Sequence, residues 1–295
     1  MTVWNKNLGK IRRPLLRYYG GKWNIADFII QHFPPHRIYL EPFGGGASVL
    51  FRKQRAEVEI YNDIDPEMVN VFEVIADEKL FKKLKHMLLW TPYSRSIYEN
   101  AYTVTGDRVK MAWRTLVLAG LGHGAKAAKR TGFRSSDATK MRKNGASEWS
   151  NWKIQLDNFR ERMANVVIES IDANILIGKY NYPDCLVYID PPYLKSSIEF
   201  HDKSGYYKYE IDEEQHIQLA ETLKIFKGMV IISGYDNELY RELFKGWQTD
   251  RCLSYAQGNK NGKTPRKEMI WMNRKCVEGL TGMSMRFALD MKATA

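Results

Sequence analysis

The sequence predicts an α/β protein, an open and mostly parallel sheet flanked by helices, with a mainly helical insertion. Three observations carry this. Short apolar, β-rich runs alternate with stretches of helical periodicity. The runs are nearly all apolar rather than alternating, as expected of strands covered on both faces. Between residues 79 and 164 the rhythm stops, leaving helical patterns and loops without a convincing strand.

In chain order, strands are expected at Ile38–Glu41, Val58–Tyr61, Val166–Ser170, Leu186–Ile189, Met229–Ser233 and Met269–Met272. Before the first, Ile25, Phe28, Ile29 and Phe33 share one helix face. After the second, Asp65-Pro66-Glu67 is a helix start: an N-cap acid, a first-turn proline, then another acid. Met68, Val71, Phe72 and Ile75 follow at helical spacing. In the middle, Trp152, Leu156, Phe159 and Met163 fall on one helix face, preceded by a polar, basic stretch over residues 126–149. Ile217, Leu219, Ala220 and Leu223 mark a later helix, closed by Gly228. The expected division is a body of residues 1–78 and 165–276, an inserted helical part of residues 79–164, and a short tail, 277–295.

With 295 residues the chain can bury a core without disulfide or metal staples. No run approaches twenty uninterrupted apolar residues, so no membrane span is expected. The N-terminus lacks the pattern of a secretory signal. The three cysteines, Cys185, Cys252 and Cys276, form no CxxC pair, and the six histidines lack ligand spacing. No metal is expected, and the reading is a reduced, cytoplasmic protein, compatible with a monomer.

The net charge of +11 is unevenly placed. Residues 1–26 hold six basic side chains and no acid; residues 123–145 hold seven against Asp137; residues 251–275 hold seven against Glu268. These stretches exceed the whole net charge, so the remainder is net acidic. A basic face on an acidic body is the footprint expected for a polyanion partner; three solvated basic loops would give the same count.

Four motifs could carry chemistry. Glu41-Pro42-Phe43-Gly44-Gly45-Gly46-Ala47 joins a strand to a helix-like run, where glycines let the backbone approach a ligand. Tyr61-Asn62-Asp63-Ile64-Asp65 follows about twenty residues on, the spacing at which an acid holds ribose hydroxyls. Asp65 is better explained as a helix cap, which leaves Asp63 for that role. Asp190-Pro191-Pro192-Tyr193 ends a buried strand, where α/β sheets place their sites. Its prolines remove two N–H donors, leaving carbonyls and a carboxylate as acceptors beside an aromatic ring. Such a rim suits a planar base with an exocyclic amine: Asp190 and a carbonyl accept the amine hydrogens, and Tyr193 stacks. Tyr18-Tyr19-Gly20-Gly21-Lys22 precedes the first helix and suits either a turn or phosphate contacts.

In this order YYGGK, EPFGGGA, NDID and DPPY resemble the D12 class of DNA adenine-N6 methyltransferases, the Dam-type enzymes, over roughly residues 14–78 and 166–275. The resemblance implies a Rossmann-like fold, S-adenosylmethionine as methyl donor, double-stranded DNA as substrate and a helical DNA-recognition domain inserted before DPPY. It implies cofactor contacts from Tyr18, Gly20, Lys22, Glu41, Phe43, Gly44, Gly45 and Gly46. It places Asp63 at the ribose, and Asp190 against both cofactor and base. Restriction–modification is one setting for such an enzyme, and a restriction partner is not read from the sequence.

The implied chemistry is transfer of the sulfonium methyl to adenine N6. Asp190 and the Pro191 carbonyl draw the amine nitrogen towards a tetrahedral geometry, and Pro192 and Tyr193 complete the pocket. The adenine must leave the duplex to reach it. Stacking on Tyr193 needs a ring, so phenylalanine should serve there. Lys126, Lys129, Arg130, Arg134, Lys140, Arg142 and Lys143 are expected to meet DNA, with Arg130 or Arg134 the candidates for reading sequence. Trp149 is an alternative stacking residue, and Lys260, Lys263, Arg266 and Lys267 a second backbone clamp. The rivals are a methyltransferase acting on cytosine N4 or on RNA, and a DNA-binding relative without catalysis.

Overall fold

The computed structural model describes residues 11–17, 20–123, 131–135, 144–194, 208–255 and 265–282, with side chains omitted at 253–255 and 265–266. Seven strands form one sheet: β1 Ile38–Glu41, β2 Val58–Asn62, β3 Val166–Glu169, β4 Cys185–Ile189, β5 Met229–Tyr235, β6 Gln248–Tyr255 and β7 Pro265–Met272. Their spatial order is β3-β2-β1-β4-β5-β7-β6. All neighbours from β3 to β5 are parallel, and β7 runs antiparallel to both β5 and β6. This is a Rossmann-like sheet closed at one edge by a reversed hairpin. β6 is absent from the sequence reading because Gln248-Thr249-Asp250-Arg251 is polar and carries no apolar run. It lies at the edge of the sheet, where solvent meets one side.

The apolar strands are covered on both faces because alternate residues enter separate cores. Tyr39, Leu186, Tyr188 and Ile231 point into one; Leu40, Cys185, Val187, Ile189 and Ile232 point into the other. β3 departs from the expectation: it is an edge strand, and Val167 remains 43% exposed. The helix Pro66–Ala76 begins as its sequence predicts, with the Asp65 side chain accepting from the Glu67 amide at 3.0 Å. The helix Glu213–Lys224 ends before Gly228, contrary to the expectation that this glycine closes it. Gly228 instead starts the approach to β5, where a Cβ would lie 2.2 Å from the Cys185 carbonyl.

Between β2 and β3 the chain is helical, and among the described residues it carries no strand beyond one isolated bridge, Gly122 to Phe133. Its helices share the core beneath the sheet: Leu84, Leu116, Trp152 and Phe159 pack in the same cluster as Phe51, Tyr61 and Phe72. The stripe Trp152-Leu156-Phe159-Met163 is buried as expected but spans two helices, Gly145–Lys153 and Leu156–Met163. The second is pinned to the sheet by a buried ion network. Arg162 donates to both Glu59 oxygens and to the Leu50 carbonyl, and Lys53 Nζ lies 2.6 Å from Glu59 Oε1. The C-terminal tail also differs from expectation. Residues 274–282 form a helix, with Cys276 buried and Val277 and Leu280 against the core, so the boundary expected after residue 276 falls inside an element. Among the described residues no helix is long and apolar enough to cross a membrane.

Candidate active site

β1 and β4 are neighbours, yet the chain leaves β1 towards β2 on one side and β4 towards β5 on the other. Loops after two such strands diverge and leave a crevice at their carboxyl ends. Here the crevice is lined by Glu41, Phe43, Gly44, Gly45, Gly46, Ser48 and Val49 after β1, by Tyr188, Asp190, Pro191 and Pro192 around the end of β4, and by Gly20, Gly21 and Lys22. It encloses about 520 Å³ including its open mouth. Three of the four motifs read from the sequence thus meet in one cleft; Tyr18 and Tyr19 lie outside the described residues.

The glycine loop owes its composition to its own neighbours as much as to a ligand. A Cβ on Gly44 would sit 2.1 Å from the Tyr61 ring. Gly45 takes φ 47°, and its amide donates to Asp63 Oδ2 at 2.7 Å while its carbonyl accepts from the Tyr61 hydroxyl at 2.9 Å. The other Asp63 oxygen accepts from the Asp65 amide at 2.8 Å. Asp63 therefore props the loop from behind and is not among the residues lining the cleft. Burial pushes its carboxyl up to about 6 against the pull of those two amides. Asp65 caps its helix and also takes Lys208 Nζ at 2.9 Å.

Glu41 is buried inside the cleft and accepts from the Tyr39 hydroxyl at 2.8 Å. Burial, with the Asp190 carboxylate nearby, pushes the Glu41 carboxyl up to about 8, opposed by the Tyr39 bond and by Lys53. Opposite it, Asp190 Oδ1 takes Lys22 Nζ at 2.8 Å and Ser233 Oγ at 2.9 Å, with the Tyr193 hydroxyl oxygen 3.3 Å away. Lys22 also donates to the Gly20 carbonyl, where φ is 76°, so the left-handed glycine turns the chain back onto its own lysine. Asp190 Oδ2 takes no partner among the described residues. The donor set suits a positively charged methyl donor: the Asp190 carboxylate, paired with Lys22, and the Glu41 carboxyl, with Lys53 near it, face a glycine-lined cleft.

Residues 18–254 match the family described as D12 class N6 adenine-specific DNA methyltransferase. That match spans most of the chain. The chain belongs to this family. It is similar to the DNA adenine methylase of Vibrio cholerae, 23% identical over 266 residues, covering 86% of this chain and 92% of that protein. It is equally similar to a Type II methyltransferase of Methanocaldococcus jannaschii, 23% identical over 296 residues, covering 88% and 96%. A solved SAM-dependent methyltransferase from Agrobacterium tumefaciens aligns at TM-score 0.35 and 10% identity, over 84% of this chain and 60% of that one.

As a D12 methyltransferase the chain is an S-adenosylmethionine-dependent enzyme that methylates adenine N6 in DNA. A second cavity gathers basic side chains. It is lined by Arg13, Arg17, Arg134, Glu148, Trp149 and Trp152, among others. Glu148 takes Arg17 at 2.6 Å, Arg134 at 2.9 Å and Arg13 at 3.9 Å. Two of the basic stretches read from the sequence thus converge on one carboxylate. Of the seven basic residues expected at DNA, Arg134 lies among the described residues; Lys126, Lys129, Arg130, Lys140, Arg142 and Lys143 lie outside them, as do Lys260 and Lys263. Trp149 is not a free stacking surface. It lies parallel to Trp152 at 4.9 Å and 7°, buried, with its indole N–H on the Thr91 carbonyl.

Sequence reasoning missed Ser233 and Glu268. Ser233 looks like one polar residue inside an apolar strand, and Glu268 like the odd acid in a basic stretch. Both signals are breaks in a local pattern, and only the fold turns them towards Asp190 and Tyr193.

Proposed function

We propose that this methyltransferase works by receiving an extruded adenine at the DPPY loop, with Asp190 as the catalytic carboxylate. The observation that carries this is the asymmetry of Asp190. Its Oδ1 is held by Lys22 and Ser233, with the Tyr193 hydroxyl oxygen 3.3 Å away, while Oδ2 stays available to accept an amine hydrogen. Prolines at 191 and 192 leave the loop without N–H donors there, so the Pro191 carbonyl is the natural second acceptor. Two acceptors on one amine hold its nitrogen lone pair towards the cleft that the glycine loop and Glu41 form. The work is positioning and fixed electrostatics, with no covalent link to the protein.

When bound, S-adenosylmethionine supplies an electrophilic methyl on a sulfonium. Gly20, Lys22, Glu41, Phe43, Gly44 and Gly45 would hold it, with Asp63 fixing the loop from behind, and Tyr18 beside them by its place in the motif. The segment 79–164 is the part we assign to target recognition, with Arg13 and Arg17 added to it from the N-terminus. Phosphate contacts from Arg134 and its neighbours would make affinity fall steeply with salt.

The test is to methylate DNA of mixed sequence and map every modified base, beside an Asp190→Ala enzyme. Adenine N6 marks in one short sequence context, lost in the variant, support the reading. Normal methylation by Asp190→Ala would sink the mechanism.

A further inference from the structure

Stacking asks only for the ring of Tyr193, yet its hydroxyl is anchored as well. It donates to Glu268 Oε2 at 2.8 Å in a buried contact and lies 3.3 Å from Asp190 Oδ1. Glu268 is itself only 7% exposed, a burial that carboxylates tolerate when partnered. It stands on β7, the strand that reverses the sheet, directly opposite Tyr235 of β5. Opposed residues of an antiparallel pair project from the same face. Both reach Tyr193: the Tyr235 ring packs against it at 4.7 Å and 71°, while Glu268 holds the hydroxyl. Lys22 Nζ lies 4.7 Å from the Tyr193 ring centroid as it pairs with Asp190.

We propose that Glu268 is a positioning residue for methyl transfer: by accepting the Tyr193 hydroxyl proton it fixes the ring that stands beside Asp190. The proposal rests on the reading above, in which Asp190 and Tyr193 receive the adenine. It assigns a function to the antiparallel edge of the sheet. β7 supplies the acceptor that holds the Tyr193 hydroxyl from behind the loop. It also changes the expectation for Tyr193→Phe, which keeps the ring and loses the anchor.

The experiment uses the full-length enzyme and duplex DNA carrying its mapped target. Glu268→Met removes the acceptor at similar volume; Glu268→Gln keeps an acceptor oxygen. Three quantities are read: the single-turnover methylation rate, the cofactor Kd by calorimetry, and the fluorescence of 2-aminopurine at the target position. Glu268→Met should slow methylation about tenfold, the scale of one charge-assisted hydrogen bond, and Glu268→Gln less than about threefold. Cofactor Kd should not change, and the 2-aminopurine signal should shift in the Met variant. Tyr193→Phe should slow the reaction as Glu268→Met does, and the double variant should be no slower than either. Additive losses, equal slowing by Gln and Met, or a changed cofactor Kd would each overturn the proposal. Should Glu268→Met fail to fold, Glu268→Gln in the Tyr193→Phe background takes its place, and any further slowing there counts against it. Activity surviving in Asp190→Ala would instead remove the underlying reading, whatever Glu268 does.

Discussion

The Lys22 ammonium sits 2.8 Å from Asp190 Oδ1, joining the first motif of the chain to the last across the mouth of the cleft. Lys22 is 4% exposed and the Asp190 side chain 18%. Breaking a buried pair by removing one partner costs about 3–5 kcal/mol, and the wetter carboxylate places this one near the lower end. Lys22→Met should therefore lower the thermal midpoint measurably and weaken cofactor binding, both readable by calorimetry. Lys22→Arg should recover part of the stability.

Asp190→Ala should reduce methyl transfer by roughly 10²-fold or more, the scale of losing a preorganised electrostatic contact. Its affinity for DNA should stay close to that of the parent, since the arginine cluster lies elsewhere. Ser233→Ala removes one donor to Oδ1, leaves the Lys22 ion pair and should cost much less. A gel-shift titration beside a methylation time course separates the two quantities.

Glu41 gives a pH prediction with a definite sign. Its ordinary value is 4.5 and the folded protein raises it to about 8. Between those values the native state holds a proton that the unfolded chain has released. Stability from this group is therefore greatest at low pH and falls as pH rises from 4.5 to 8. Glu41→Gln removes the titration. The variant should be nearly as stable as the parent at pH 5 and more stable at pH 9, while binding cofactor less well. Thermal melts at the two pH values test this; an equal offset at both would contradict it.

Arg134→Ala tests the DNA face. If the side chain meets a phosphate, the slope of log affinity against log salt should fall by about one. If it reads a base, the slope should hold and the sequence preference should relax. In both cases Glu148 loses one of its three arginine partners, so Glu148→Gln should loosen Arg17 as well and weaken DNA binding further.

The Glu59 network should matter for folding rather than catalysis. Arg162→Met leaves Glu59 with Lys53 as its remaining buried cation, together with the rim contact from Arg55 at 3.8 Å. Because Lys53 and Arg55 still face Glu59, the loss in urea unfolding should stay below about 3 kcal/mol, the cost of an uncompensated buried charge. Cofactor affinity in the folded fraction should be unchanged.

Much of the molecule is written locally. Five of the six strands expected from apolar runs appear within two residues of their predicted ends, because mostly apolar runs of four to seven residues mark where the chain enters the sheet. The sixth, β7, begins earlier, at Pro265, since its first half is polar. The Asp65 cap and the helix after it follow from three consecutive residues. β6 was invisible because an edge strand answers to its partner's backbone and not to its own side chains. Trp152, Leu156, Phe159 and Met163 keep helical spacing across the break at residues 154–155, so periodicity alone joined two helices into one.

The four motifs, their order and the chemistry of an acceptor-only loop came from the sequence, as did the family they resemble. What the tertiary structure decided is which groups face each other. It turned Asp63 behind the glycine loop and gathered Arg13, Arg17 and Arg134 around Glu148. It brought Ser233 and Glu268 to the DPPY loop from strands that lie beside it only in the folded sheet. Side-chain chemistry and short-range periodicity are local properties and can be read along a chain. A contact between β7 and the end of β4 depends on strand order, and strand order is fixed by which apolar faces bury together.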